Sequence, residues 1–361
     1  MEIPIPGLPV DEKYQRSLQS RVAGLVGARH CNFPGAQPVS FRLCHMDELL
    51  SENYFVSEKA DGIRYLLYSS ISEYGNPECF LIDRNNQYYR LDSRGFVLPS
   101  AGDGRSFQND TILDGELVLD VNEDDTTTLW FLLFDCIVIE GKSLMQRPFT
   151  TRLGYLKENV LKPYKALVAR DRQLQEHVPF QMDLKRQEFS YGLRLIFDQI
   201  STLRHKNDGL IFTSSEAPYV VGTCEKMLKW KPANQNTVDF KLMAKQNGAY
   251  SIALWYGGVN GHRIFGPFEV SNELRDSWST KDVDGAIVEC KYDPDWPGRW
   301  KFDRFRRDKD KANHISTYHK IMQSIRDRVD ADELIQLTHE IRRCWKQRES
   351  SKGAATRRRS D

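Results

Sequence analysis

The chain has no basic excess. Its 51 lysines and arginines face 50 aspartates and glutamates, so any nucleic-acid-binding surface must be local and offset by acid elsewhere. Cysteine is scattered: the seven, at 31, 44, 79, 136, 224, 290 and 344, include no C-x-x-C pair. Neither a zinc site nor a disulfide framework is suggested, and a reducing compartment, cytosol or nucleus, is expected. No apolar run is long enough to span a membrane. Residues 1–10, acidic and proline-rich, lack the basic-then-apolar layout of a secretory leader. No internal repeat is evident.

What is present is enough for two or three domains: 361 residues, 40% of them hydrophobic, can bury a sizeable core. Tyr14, Leu18, Val22 and Leu25 share one face at helical spacing, which predicts a packed helix over 11–27. From 54 to 139, runs rich in Val, Ile, Phe and Tyr alternate with turn-forming clusters, at 54–58, 63–69, 79–84, 87–91, 111–120 and 129–139. That pattern predicts mostly antiparallel sheet. Residues 150–205 read as helix, and 210–213 and 226–231 as two further strands. The polar breaker at 232–236 is the expected domain boundary. Five strand-like runs follow, at 238–244, 250–256, 263–270, 286–292 and 299–306, which suits a small OB-fold barrel. Ile315, Tyr318, Ile321, Met322 and Ile325 resume helical spacing, and Leu334, Leu337, Ile341 and Trp345 mark a second helix. The tail from Ser350, small, polar and basic through Arg357-Arg358-Arg359, has a disordered composition.

The motif that stands out is Glu58-Lys59-Ala60-Asp61-Gly62-Ile63-Arg64, a lysine at an Asp-Gly turn after an extended run. A lysine amine is a nucleophile only with its proton off, which cationic neighbours or desolvation can bring about. By itself, K-x-D-G is more often an ordinary hairpin. Asp114-Gly115-Glu116 in an apolar strand offers a carboxylate for ribose hydroxyls, and the apolar run 130–135 offers Phe134 for stacking on a base. Asp208-Gly209 before a buried strand offers a hard ligand for Mg²⁺ or Mn²⁺. In Leu228-Lys229-Trp230-Lys231, period two places both lysines on one strand face, where they can hold a phosphate. The segment 304–313 is the densest basic cluster in the folded region. Each motif alone has a bland reading: a turn, a core aromatic, a solvated face.

In this order the segments resemble the covalent nucleotidyltransferase superfamily of messenger-RNA capping enzymes and ATP-dependent polynucleotide ligases. The resemblance runs over about residues 54–313. The capping branch is favoured by Arg306-Arg307-Asp308-Lys309 with Asn313, which is similar to R-x-D-K-x-x-P-N except that Ala312 replaces proline. The phrases at 80–84 and 228–232, and aspartate rather than glutamate at 208, favour it too.

The resemblance implies an α+β fold. A nucleotidyltransferase domain of mostly antiparallel sheets would span 1–236 and an OB-fold 237–313, with a helical segment over 314–349 and a disordered tail over 350–361. It implies that Lys59 carries GMP, that Arg64 and Glu116 contact ribose, and that Phe134 stacks on guanine. Asp208 would act with a divalent metal, Mg²⁺ or Mn²⁺, and Lys229 and Lys231 would hold the α-phosphate. Arg306, Asp308 and Lys309 would clamp the outer phosphates of GTP. The acceptor would be the 5′-diphosphate end of RNA, and the place of action the nucleus. The partners would be a separate RNA 5′-triphosphatase and the phosphorylated tail of RNA polymerase II. His30-Cys31 is followed by Gln37 where a cysteine-phosphatase signature needs arginine, and about fifty residues precede the first motif. A monofunctional, fungal-like enzyme is therefore expected. The competing readings are a ligase using ATP and a non-catalytic OB-fold protein. Loss of Lys59, Glu116 or the lysine pair would favour the latter, and all are present.

Overall fold

A computed structural model describes residues 3–102, 106–232, 236–245, 248–258, 261–327 and 329–357. In chain order these form β1 (Leu8–Pro9), α1 (Glu12–Leu25), β2 (Ala36–Ser40), α2 (Cys44–Ser51), β3 (Tyr54–Ala60), β4 (Ile63–Ile71), β5 (Pro77–Ile82), β6 (Tyr88–Arg90), β7 (Thr111–Val121), β8 (Thr127–Ile139) and β9 (Lys142–Ser143). Next come α3 (Phe149–Tyr155), α4 (Lys162–Arg170), α5 (Arg172–His177), β10 (Gln181–Leu184), β11 (Glu188–Phe189), α6 (Leu193–Ile200), β12 (Asn207–Ser214) and β13 (Gly222–Trp230). Then follow β14 (Thr237–Ala244), β15 (Tyr250–Trp255), β16 (His262–Phe268), α7 (Asn272–Ser279), β17 (Ile287–Tyr292), β18 (Trp300–Phe305), α8 (Ile315–Arg326) and α9 (Ala331–Arg357). Residues up to 39, 47–230 and 335–357 make one compact unit, and 40–46 with 231–334 make a second. Residues 233–235 of the expected boundary lie outside the described residues.

In the first unit, β4 explains the layering. Its Tyr65 and Leu67 enter one core with Leu113, Leu117 and Leu133, while Leu66 and Tyr68 enter another with Ile112, Ile137 and the α1 residues Leu18 and Val22. A strand covered on both faces needs apolar residues at consecutive positions, and each such side chain fully buried gains about 1.5–3 kcal/mol. The large sheet runs β1-β6-β5-β4-β7-β8-β10, antiparallel except for β10 on β8. A smaller sheet runs β11-β3-β12-β13-β2. Helix α1 starts where Asp11 caps the Tyr14 N–H at 3.0 Å.

Two stretches depart from the sequence expectation. Residues 150–205 are not helical throughout: a helical run from Phe149 to Arg170, with a π turn over Leu156–Leu161, gives way to α5 and then to β10, and helix returns at Ser190. Burial of Phe180 and Met182 in the first core favours pairing with β8 over local helix preference. Residues 350–357, expected in the tail, continue α9. Their lysine, alanine and arginine are good helix formers, and extending an existing helix is easy. Arg358 and Arg359 lie outside the described residues.

In the second unit the order is β16-β15-β14-β17-β18, all antiparallel, with α7 between the third and fourth of these strands in sequence. This is the OB-fold arrangement. Val238, Phe240, Leu242, Ile252 and Leu254 fill its core with Trp278 and Trp300.

Candidate active site

Phe55, Ser57 and Lys59 share one face of β3; Val56, Glu58 and Ala60 share the other. The Asp61-Gly62 turn then folds β4 back. Gly62 is required there: a Cβ would lie 2.3 Å from the Leu117 carbonyl oxygen and 2.8 Å from Glu116 Cγ. The turn is thereby held against the strand that carries Glu116. Beside β3, β12 is bulged between Asn207 and Leu210, and Gly209 adopts a φ of 139°. The bulge aims Asp208 at the lysine, and Lys59 Nζ donates to Asp208 Oδ1 at 2.6 Å.

One cavity is lined by Lys59, Arg64, Glu116 and Phe134, four of the residues singled out from the sequence. Arg64 is buried and bidentate, donating from Nε to Asp114 Oδ1 at 2.8 Å and from Nη2 to Asp114 Oδ2, and it also donates to the Ala36 carbonyl. Burial works against its charge, but Asp114 outweighs it and the guanidinium pKa is raised. Phe134 has Arg64 5.6 Å and Lys185 5.8 Å from its ring centre. Asp135, beside it, is fully buried and held by Arg152 at 2.7 and 3.0 Å.

Lys229 reaches the same sheet face by register: it pairs with Ile211, which pairs with Ser57, and both partners line the cavity. The strand stops at Trp230, so Lys231 follows it and is not placed by strand alternation. Arg306, Asp308 and Lys309 belong to the second unit, after β18. Arg306 donates to Asp308 at 2.9 and 2.7 Å and to Asp239 at 3.2 Å, and Lys309 Nζ donates to Asp239 Oδ2. The Arg306 bond holds the Asp308 carboxyl down at about 2.

Lys185 and Glu58 in the first unit, and Asp239 in the second, were given no role from the sequence. Lys185, just after β10, lines the cavity, and its Nζ lies 3.0 Å from Glu116 Oε2 and 3.5 Å from Glu58 Oε1. Burial opposes its charge, yet Glu116 and Glu58 raise its pKa. Glu58, the residue before Lys59, is buried. Burial pushes its carboxyl up, but Lys185 and then His205, 3.5 Å away, bring it below its ordinary value. Asp239 organises the basic segment: besides Arg306 and Lys309, its N–H donates to Asn313 Oδ1 at 2.9 Å. Arg84, noted only within the phrase at 80–84, also lines the cavity. The parallel β8–β10 pairing that delivers Lys185 is non-local, and no local signal could have found it.

Among the described residues, no group of three or more His, Cys, Asp or Glu side chains could cage a metal ion, and no helix is long and apolar enough to cross a membrane.

Two family models match the chain: mRNA capping enzyme, catalytic domain, over residues 1–233, and mRNA capping enzyme, C-terminal domain, over residues 235–335. Curated relatives from several fungi carry the name mRNA-capping enzyme subunit alpha. That of Neurospora crassa is 36% identical, covering 96% of this chain and 94% of its own. That of Schizosaccharomyces pombe is 36% identical over 100% and 92%. That of Saccharomyces cerevisiae is 33% identical over 96% and 88%.

Proposed function

The chain belongs to the mRNA capping enzyme family, and from that premise we propose that Lys59 is the residue through which this guanylyltransferase passes GMP to RNA. One observation carries the residue assignment. The Lys59 amine, bonded to Asp208, opens on a cavity that also holds an arginine, a carboxylate and an aromatic ring.

In the first step Lys59 Nζ, having lost its proton to solvent, attacks the α-phosphorus of GTP. A nitrogen–phosphorus bond forms, the bond to the bridging oxygen breaks, and pyrophosphate leaves. In the second step a terminal oxygen of a 5′-diphosphate RNA attacks the same phosphorus, and the nitrogen departs on Lys59 and regains a proton. Such transfers depend on positioning and charge neutralisation. Glu116 would contact the ribose, and Phe134 would stack on guanine. Lys229 and Lys231 would hold the α-phosphate, and Arg306, Asp308 and Lys309 the outer phosphates. Arg64, locked to Asp114, shapes the cavity wall and would contact the ribose. The carboxylate of Asp208 is a hard oxygen donor and would serve as one ligand for Mg²⁺ or Mn²⁺. The charge of the ion would neutralise the phosphates and favour the uncharged amine. The same reading assigns a separate RNA 5′-triphosphatase and the phosphorylated polymerase II tail as partners, and the nucleus as the place of action.

Incubation with labelled GTP is expected to label the chain covalently, and Lys59→Ala to abolish the label. Labelling by ATP alone, or a normal yield of adduct from Lys59→Ala, would overturn the assignment.

A further inference from the structure

The second unit carries a surface that the reaction above does not use. Lys241 on β14 lies opposite Ala253 on β15, Ala253 lies opposite Ile264 on β16, and Trp255 lies opposite His262. Their neighbours Leu242, Ile252 and Leu254 fill the core, so Lys241, Trp255, His262 and Ile264 share the face turned away from it. Ile264 is 66% exposed. Lys311 Nζ stands 5.2 Å from the Trp255 ring centre.

The basic segment is fixed to this same face. The Trp255 N–H donates to the Asn313 carbonyl at 3.0 Å, and the Ala312 N–H donates to His262 Nε2 at 3.1 Å. Burial, then the charges of Lys241 and Lys311, hold the His262 imidazole below its ordinary range, so near neutrality it is an acceptor. Asp239, which holds Arg306 and Lys309, is two residues before Lys241 on one strand and so shares its face. The phosphate-type cations thus run directly into an aromatic and basic patch.

We propose that this patch receives the leading nucleotides of single-stranded RNA, one base stacking on Trp255 while Lys241 and Lys311 meet its backbone phosphates. The identity of the RNA rests on the guanylyltransferase reading; the patch rests on its own geometry. Aromatic faces flanked by cations bind single strands with little regard to sequence. β15 and β16 are the second and third strands of the barrel, the OB-fold face suited to oligonucleotides. A duplex keeps its bases stacked and has none to offer Trp255. Lys311 lies over the ring and would exchange it for a phosphate as the base arrives.

The test uses the full chain and a short single-stranded RNA with a 5′-hydroxyl, followed by fluorescence anisotropy. Trp255→Ala should weaken binding roughly tenfold, the effect of losing one stacked base, and Trp255→Phe should retain most of it. Lys241→Ala and Lys311→Ala should each lower the slope of log affinity against log salt by about 0.7. In transfer from preformed lysyl–GMP, Trp255→Ala should raise KM for a long 5′-diphosphate RNA by the same factor. Labelling by GTP and transfer to a nucleoside 5′-diphosphate should be unchanged. Unaltered RNA affinity in Trp255→Ala, equal affinity for duplex, or an equal loss in GTP labelling would overturn the proposal. If the wild type takes no label from GTP yet Trp255→Ala still loses RNA affinity, the catalytic reading fails and the patch stands.

Discussion

Replacing Lys185 by methionine tests whether the site is held from behind by buried charge. Lys185 is 4% exposed and bridges Glu58, 2% exposed, and Glu116, 15% exposed. Methionine fills similar volume but leaves two carboxylates without their cation. Removing one partner of a buried pair costs about 3–5 kcal/mol. His205 still faces Glu58 at 3.5 Å, so the lower end, about 3 kcal/mol, is expected. In a unit of this size that lowers Tm by about 6–12 °C. The sign with pH follows from Glu58. Its carboxyl lies below its ordinary value in the folded protein, so the stability it contributes is present above the unfolded carboxylate range and is lost as pH falls through the folded value. The gap between wild type and Lys185→Met should be full at about pH 7 and shrink toward about pH 4, where the orphaned carboxylates protonate. Glu58→Gln added to Lys185→Met should recover part of the loss, since it removes a buried unpaired charge. Thermal unfolding by circular dichroism without nucleotide reads all three. A gap under about 1 kcal/mol, or one identical at both pH values, would show that Lys185 does not hold these carboxylates by charge.

Gly62→Ala should cost about 1–3 kcal/mol and most adduct formation, because the new Cβ meets the Leu117 carbonyl at 2.3 Å; a normal GTP-labelling yield would show that the turn yields freely. Arg306→Ala should slow formation of lysyl–GMP roughly 100-fold while largely sparing transfer from preformed adduct. Equal losses in the two steps, measured by single-turnover labelling, would contradict a clamp on the outer phosphates. His205 is titrated upward: burial opposes its charge, but its bonds to Glu58 and Asp120 prevail. Its contribution is therefore full below the unfolded histidine value of about 6.5 and is lost as pH rises through the folded one. The Tm deficit of His205→Gln should be largest near about pH 6 and close at alkaline pH, and a pH-independent deficit would sink this account.

Strands were legible where turn chemistry bounded them. Asp61-Gly62 marks the turn at which the chain passes from β3 of one sheet to β4 of the other, and the five barrel runs at 238–306 each became a strand within a few residues of the expected bounds. β10 was not legible, because its four residues are extended only through pairing with β8, some fifty positions earlier. The same pairing hides Lys185, whose local setting of Asp183-Leu184-Lys185-Arg186 reads as a solvated charge run. Asp239 was hidden differently. It sits in a strand whose alternate residues are core, and its partners lie about seventy residues away in the segment already noted for its positive charge. Lys229 and Lys231 show the limit of alternation: the period holds only while the strand lasts, and this one ends at Trp230.

These departures share a physical sense. Three of the cations proposed to act on phosphates already have a carboxylate partner: Lys59 has Asp208, and Arg306 and Lys309 have Asp239. A lysine or arginine poised without a partner would bind a triphosphate more tightly, and would release pyrophosphate more slowly. When a phosphate replaces a carboxylate, one charge-assisted bond is exchanged for another, so the net change is far smaller than the strength of either bond. Two successive reactions on the same phosphorus require that kind of balance, since pyrophosphate must leave before the RNA end can enter. Asp239→Asn is then expected to unbalance the exchange rather than merely weaken it. With their carboxylate neutralised, Arg306 and Lys309 should hold pyrophosphate longer, raising its potency as a product inhibitor of adduct formation. A structural role alone would lower labelling and leave the inhibition constant unchanged.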